Sequence, residues 1–281
     1  MTDELLRDLH DAAADSENPA EASLRPQGTT RRELRAMRRD VLRKLRVGAG
    51  MSAVELGCGV GLLSVPVARR AGRYLGLDFA PQAVRVANRR LREAGLAEDR
   101  ARAVCADVLR ISDSELEAFG RFERVLVYAV LQCVRDEEQG VRFLQRTLDL
   151  LAEGGRALVG NLPLSDLAVD WTAPDPPPHG LLQRARVGGR WILTPGTASV
   201  PLTRRWKARR AVERVIKLQL ESPIGDFPSV VLPEHHTVKL STETVERWLA
   251  SLQGDFTYRW RLPAPGVPLV AGRADLVLHR R

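Results

Sequence analysis

Val54-Glu55-Leu56-Gly57-Cys58-Gly59-Val60-Gly61, followed by Tyr74-Leu75-Gly76-Leu77-Asp78, is the stretch that decides the fold. An apolar run, three glycines at alternate positions and a second apolar run ending in a carboxylate describe a strand, a tight turn, a helix and another strand. Glycine takes the backbone through conformations that a side chain blocks, and it lets a ligand lie directly against the main chain. A carboxylate at the tip of the second strand stands where a ribose diol is gripped.

The glycine spacing separates the ligands that use this geometry. A dinucleotide fingerprint reads G-x-G-x-x-G, and its third glycine would fall where this chain has Leu62. Here the spacing is G-x-G-x-G, with Glu55 two positions before the first glycine. In those residues the segment resembles motif I of the class I S-adenosylmethionine-dependent methyltransferases. The physics agrees, because S-adenosylmethionine has no pyrophosphate and asks the turn only for close approach to a sulfonium amino acid and a ribose. The plain alternative is a glycine turn that merely joins a strand to a helix in some other α/β protein.

The resemblance implies S-adenosylmethionine as cofactor and assigns residues to it. Glu55, Gly57, Gly59 and Gly61 form the methionine-side turn, with Cys58 as a small residue inside it. Asp78 takes the ribose hydroxyls, and a charged acceptor suits that task because it receives both. Phe79 packs on the adenine or belongs to the core. Asp107 accepts from the adenine amino group, with Val108 beside the ring, or is a strand-end turn residue. Strand four departs from the family pattern, since Glu123 stands where aspartate is frequent. Tyr128 and Gln132 face the sulfonium or the acceptor, or are structural.

Working outward, helical spacing of Leu34, Met37, Val41 and Leu45 predicts a helix over 31–45. Strands are expected at 51–56, 74–78, 101–106, 122–130 and 156–162, with helices at 62–70 and 81–91. Val141, Leu144, Leu148 and Leu151 form a further helical stripe, for which Gly154-Gly155 reads as the stop. Arg184–Val187 and Arg190–Leu193 flank Gly188-Gly189 as a hairpin does, and 203–220 reads as a basic helix. Ser241 or Thr242 caps a last helix to Leu252, followed by strands at 256–262 and 269–279. Such alternation predicts an α/β, Rossmann-like, doubly wound sheet. It has seven mainly parallel strands, the last antiparallel, with a cap inserted after strand five. The expected division is an N-terminal arm and helix acting as a lid (1–46), a cofactor-binding core (47–162), a substrate cap (163–238) and a closing helix with strands (239–281).

The 281 residues carry a net charge of +8, which invites a nucleic-acid reading. Lysine occurs only at 44, 207, 217 and 239, so arginine supplies nearly all of it, and aromatics are 5%, leaving few stacking platforms for single strands. Cys58, Cys105 and Cys133 are odd in number and widely spaced, which argues for reduced core or turn residues and against a disulfide frame or a zinc site. No apolar run reaches transmembrane length and Met1–Leu6 carries acidic residues, so a soluble, cytoplasmic protein that meets no membrane is expected. No His/Asp/Glu constellation argues for a metal.

Methyl transfer needs the acceptor held roughly 3 Å from the methyl, and a hydroxyl acceptor must also lose a proton. His235 and His236 are the candidate bases in the variable half, with Tyr128 at the strand tip; adjacent histidines before a strand are more often ordinary loop residues. Asn161-Leu162-Pro163-Leu164 resembles the Asn-x-Pro-aromatic element of base amino-methyltransferases, yet it follows strand five and Leu164 offers no ring to stack, so base methylation is discounted. Leu262–Pro265, Arg273–Val277 and Asn18-Pro19 look similar to methyltransferases of bacterial sugar and polysaccharide clusters. The expected acceptor is therefore a hydroxyl of a sugar or secondary metabolite. Two other readings stand beside it: an RNA or protein methyltransferase using the basic 204–210 segment, and a non-catalytic protein that binds the nucleoside.

Overall fold

The computed structural model describes residues 31–165, 239–252, 255–261 and 273–281, the strand backbones at 182–187 and 190–195, and the single positions 7, 8, 11, 14, 263, 264 and 267. In chain order the elements are α1 (Arg31–Leu45), β1 (Ser52–Leu56), α2 (Ser64–Ala68), β2 (Arg73–Asp78), α3 (Pro81–Glu93), β3 (Ala101–Cys105), α4 (Asp113–Ala118) and β4 (Phe122–Tyr128). After a 3-10 turn at Leu131–Cys133 come α5 (Glu137–Asp149), β5 (Leu151–Pro163), β6 (Leu182–Val187), β7 (Arg190–Pro195), α6 (Thr242–Ser251), β8 (Phe256–Arg261) and β9 (Arg273–Arg280). The main sheet has seven strands in the order β3-β2-β1-β4-β5-β9-β8. The pairs from β3 to β5 are parallel, as the alternation requires, and β9 runs antiparallel to both neighbours, as the family resemblance implies.

Alternate residues of the central strands feed two cores. Val125, Val127, Ala157 and Val159 pack with Phe143, Leu144 and Leu148 of α5 and with Trp248 and Leu249 of α6. Leu126 and Leu158, on the opposite face, meet Leu34, Met37, Val41 and Leu45 of α1 and Val67 of α2. Strands buried on both faces explain the unbroken apolar runs, and each fully buried aliphatic side chain contributes roughly 1.5–3 kcal/mol. Ser241 caps α6 through a bond from the Thr244 amide, and Glu137 ties that cap to α5 by accepting from the Ser241 amide at 2.5 Å.

Three readings need correction. Leu151 does not close the helical stripe; α5 ends at Asp149, and Leu151 opens β5 beside Phe122. The next described pair is Arg124 with Arg156, so β5 carries surplus residues that bulge out, with Gly154 at φ +67°. The two glycines serve that bulge, because a ladder irregularity takes the positive φ that a helix stop would also need. The helix after the glycine turn holds only Ser64–Ala68, since Leu62 and Leu63 belong to the turn itself. Cys105 is an exposed thiol at the end of β3, not a core residue.

Helix α4 was not expected, though its signal is in the sequence: Ser112 accepts from the Glu115 amide while Glu115 reaches back to the Ser112 amide, a capping box. The hairpin is present, β6 pairing antiparallel with β7 up to Val187 and Arg190. The expected basic helix at 203–220, most of the cap and most of the arm lie outside the described residues.

One buried ionic cluster escaped the sequence reading. Lys44 of α1 donates to Asp40 and to Asp275 of β9, each at 2.5 Å, and the Ala264 amide donates to Asp40 at 3.1 Å. Burial pushes the Asp275 carboxyl up while Lys44 works against that shift. Removing one partner of such a cluster strands the other charge without water, so Asp275→Ala is expected to cost about 3–5 kcal/mol. Urea unfolding of the variant, with the midpoint lowered at unchanged slope, checks this.

Candidate functional site

The carboxyl ends of β1, β2, β3 and β4 enclose one cavity. Glu55, Gly57, Cys58, Gly59, Asp78, Phe79, Asp107, Val108 and Tyr128 all line it, so nine of the residues named for the cofactor come together. Gly61 does not line it: a Cβ there would lie 3.2 Å from the Ala87 backbone, so its task is close packing against α3. Gln132 sits one residue from the lining Cys133. His235 and His236 lie outside the described residues. Leu63, Ala83, Ala106, Val130 and Phe143 are among the other walls, and nothing but their apolar character marked them beforehand.

The glycine turn is held from below. Gly57 and Cys58 both direct their amides at the Leu77 carbonyl, at 2.7 and 3.1 Å, which folds the turn onto β2. Gly57 has φ +72°, and a Cβ on it would strike Val130 at 2.4 Å. Around Gly59 a Cβ would meet nothing within 4 Å, so the floor of the cavity there is open main chain.

Two carboxylates with different surroundings frame this floor. Asp78 accepts from the Gly59 amide at 2.6 Å through one oxygen and from the Ala80 amide at 3.0 Å through the other, tying the tip of β2 to the turn. Glu55 accepts on a single oxygen from the Tyr74 hydroxyl at 2.6 Å and the Ser64 hydroxyl at 2.9 Å. Burial raises the Glu55 carboxyl to about 7, against the pull of those two hydroxyls.

Asp107 meets both of its readings. One oxygen accepts from the Leu109 amide at 3.0 Å, a strand-end turn, while the residue lines the cavity. The Tyr128 ring lies against Gly160, where a Cβ would be 2.4 Å from it. Burial pushes the Cys133 thiol up to about 12 and raises Cys58 well above the usual thiol range, so both stay protonated and serve as walls. Asn161, once compared with a base-stacking element, instead takes φ +57° on β5 and donates its amide to Asp275. No cluster of metal ligands occurs among the described residues. None of the described helices is long and apolar enough to cross a membrane.

Comparison with known proteins places this geometry. Residues 53–155 match the family model described as a methyltransferase domain. The ubiquinone biosynthesis O-methyltransferase of Methylobacterium sp. (strain 4-46) is 31% identical over 182 residues, covering 58% of this chain and 69% of that protein. Its namesake from Methylobacterium nodulans is 30% identical over 208 residues, 66% of this chain and 78% of the relative. The chain belongs to the class I S-adenosylmethionine-dependent methyltransferases.

Solved structures agree on the fold. The N-methyltransferase NodS from Bradyrhizobium japonicum, in complex with S-adenosylhomocysteine, superposes with a TM-score of 0.54 at 15% identity, covering 98% of this chain and 97% of its own. The magnesium protoporphyrin IX methyltransferase of Synechocystis, also with bound S-adenosylhomocysteine, gives 0.52 at 12% identity over 99% and 94%. As a member of that family, this methyltransferase uses S-adenosylmethionine.

The raised Glu55 carboxyl has a consequence for stability. Its contribution is fully present below about pH 4.5 and is lost as pH rises through about 7, where the folded protein must bury the charge. The difference amounts to about 3 kcal/mol. Glu55→Gln cannot ionise, so the gap in unfolding free energy between variant and native enzyme is expected to shift toward the variant between pH 5 and pH 8. Denaturant titrations at both pH values check this, and a pH-independent gap refutes it.

Proposed function

We propose that this methyltransferase moves the methyl group of S-adenosylmethionine to a hydroxyl of a sugar or secondary metabolite. The observation that carries this reading is that relatives aligning over two thirds or more of their own length are named O-methyltransferases. Bound S-adenosylmethionine supplies an electrophilic methyl on a sulfonium.

The chain's own groups divide the work of holding it. The open main chain from Gly57 to Gly59 receives the methionine side, while Gly61 sets how closely α3 backs the turn. Asp78 accepts from the ribose hydroxyls with the lone pairs that its two amide bonds leave. Asp107 takes the adenine amino group, with Phe79 and Val108 against the ring. Glu55, under the turn, ties β1 to β2 and α2 through Tyr74 and Ser64. Tyr128 stands at the tip of β4, where cofactor and acceptor meet. His235 and His236 are the candidates to take the hydroxyl proton.

Asp78→Ala is expected to weaken S-adenosylmethionine binding about 10- to 100-fold, the loss of charged hydrogen bonds. Isothermal titration calorimetry measures it, and unchanged affinity would remove Asp78 from the ribose. Labelled S-adenosylmethionine incubated with extracts of the enzyme's own host tests the acceptor; label on an oxygen of a small molecule supports the reading, and label on nitrogen, carbon or a macromolecule overturns it.

A further inference from the structure

Two arginines that are not walls of the cavity grip the glycine turn and the residue after it from behind. Arg90 of α3 donates from its guanidinium to the Val60 carbonyl at 2.9 Å, and Arg38 of α1 donates to the Leu62 carbonyl at 3.2 Å. Val60 and Leu62 both line the cavity, so two helices on either side of the turn hold its outward carbonyls. Burial lowers the Arg90 guanidinium from its ordinary range, and Arg89 and Arg38 add to that shift. Keeping a charge at this place costs free energy, which the bond to the Val60 carbonyl offsets.

The reach of Arg90 follows from a glycine. A Cβ at Gly61 would lie 3.2 Å from the Ala87 main chain, so its absence lets α3 close on the turn, and Arg90, three residues beyond Ala87, falls on the same helix face. The peptide between Val60 and Gly61 is then held at both edges, its carbonyl by Arg90 and its amide by the Cys58 carbonyl at 3.0 Å. The other turn amides are also engaged: those of Gly57 and Cys58 go to the Leu77 carbonyl and that of Gly59 to Asp78. Only the Val60 amide finds no acceptor among the described residues of the protein, and Val60 lines the cavity.

A main-chain donor without a protein partner in a residue that lines a ligand cavity calls for an acceptor on the ligand. The methionine end of the cofactor brings one, its carboxylate. A guanidinium bound to the carbonyl of the same residue keeps the negative end of that carbonyl away from the carboxylate, and its charge attracts the anion across the turn. We propose that Arg90 is a positioning residue for the amino-acid end of the cofactor, holding Val60 so that its amide serves the carboxylate. The inference rests on the reading that the glycine turn receives the methionine side, and it adds a residue outside the cavity that sets affinity for that side alone. Ribose and adenine, assigned to Asp78 and Asp107, do not depend on it.

Calorimetry on the full chain with two probes tests this, since S-adenosylhomocysteine carries the amino-acid end and adenosine lacks it. Arg90→Met is expected to weaken S-adenosylhomocysteine about 10-fold and to change adenosine by less than about 2-fold. Arg90→Lys, which keeps the charge on a shorter side chain, is expected to fall between the methionine variant and the native enzyme, and it decides the matter should the methionine variant not fold. Native affinity for both probes in Arg90→Met overturns the inference. Equal loss of both makes the residue a strut and also overturns it. Gly59→Ala, which puts a methyl on the open main chain, tests the underlying reading separately. A selective loss of S-adenosylhomocysteine in Gly59→Ala but not in Arg90→Met leaves that reading standing and overturns the inference alone. An unchanged preference for S-adenosylhomocysteine over adenosine in Gly59→Ala overturns the reading of the turn and the inference with it.

Discussion

A carboxyl group with almost no access to water sits beneath the glycine turn, and the turn's shape follows from how that group is satisfied. Glu55 belongs to β1, its partner Tyr74 to β2 and Ser64 to α2. One residue thus fastens three elements at the carboxyl end of the sheet. A hydrocarbon at position 55 would leave the Tyr74 hydroxyl buried without this acceptor, at a cost of about 1–3 kcal/mol. The amides of Gly57 and Gly59 are held separately, by the Leu77 carbonyl and the Asp78 carboxylate.

On the other side of β4 a different kind of constraint acts. Lys44 joins α1 to the antiparallel strand β9, and β9 brings both Asp275 and Arg273 to the tip of β5. Desolvating those ions costs more than hydrocarbon packing of the same volume would. What the cluster provides is a defined placement of the β5 tip, including an asparagine in a conformation that asparagine and glycine tolerate best. Two separate polar assemblies therefore fasten the sheet on opposite sides of β4.

Motif residues were legible because their chemistry is local. The glycine spacing, the acid before it and Asp78 lie within 24 positions of one another, and the sheet follows from the alternation they begin. The role of Glu55 was legible only as part of a motif; its raised carboxyl comes from burial, and the Tyr74 hydroxyl that pulls the other way reaches it only once β1 and β2 pair. Arg273 and Lys44 were not legible, since their partners stand 141 and 231 positions away. The boundary at Leu151 failed for a subtler reason: an apolar residue at helical spacing is also the right residue to start a buried strand, and only the pairing with Phe122 decides.

Strand β9 follows β8 in the chain yet lies between β8 and β5 in the sheet. During synthesis, β1 to β5 can assemble and present the cofactor turn while the far side of β5 is still an unpaired edge. That edge closes only when residues 273–280 have left the ribosome and slipped into place, carrying Arg273 and Asp275 with them. A nascent chain therefore acquires its cofactor turn first, and the buried ion pair that joins α1 to β9 forms only with the strand that seals the sheet.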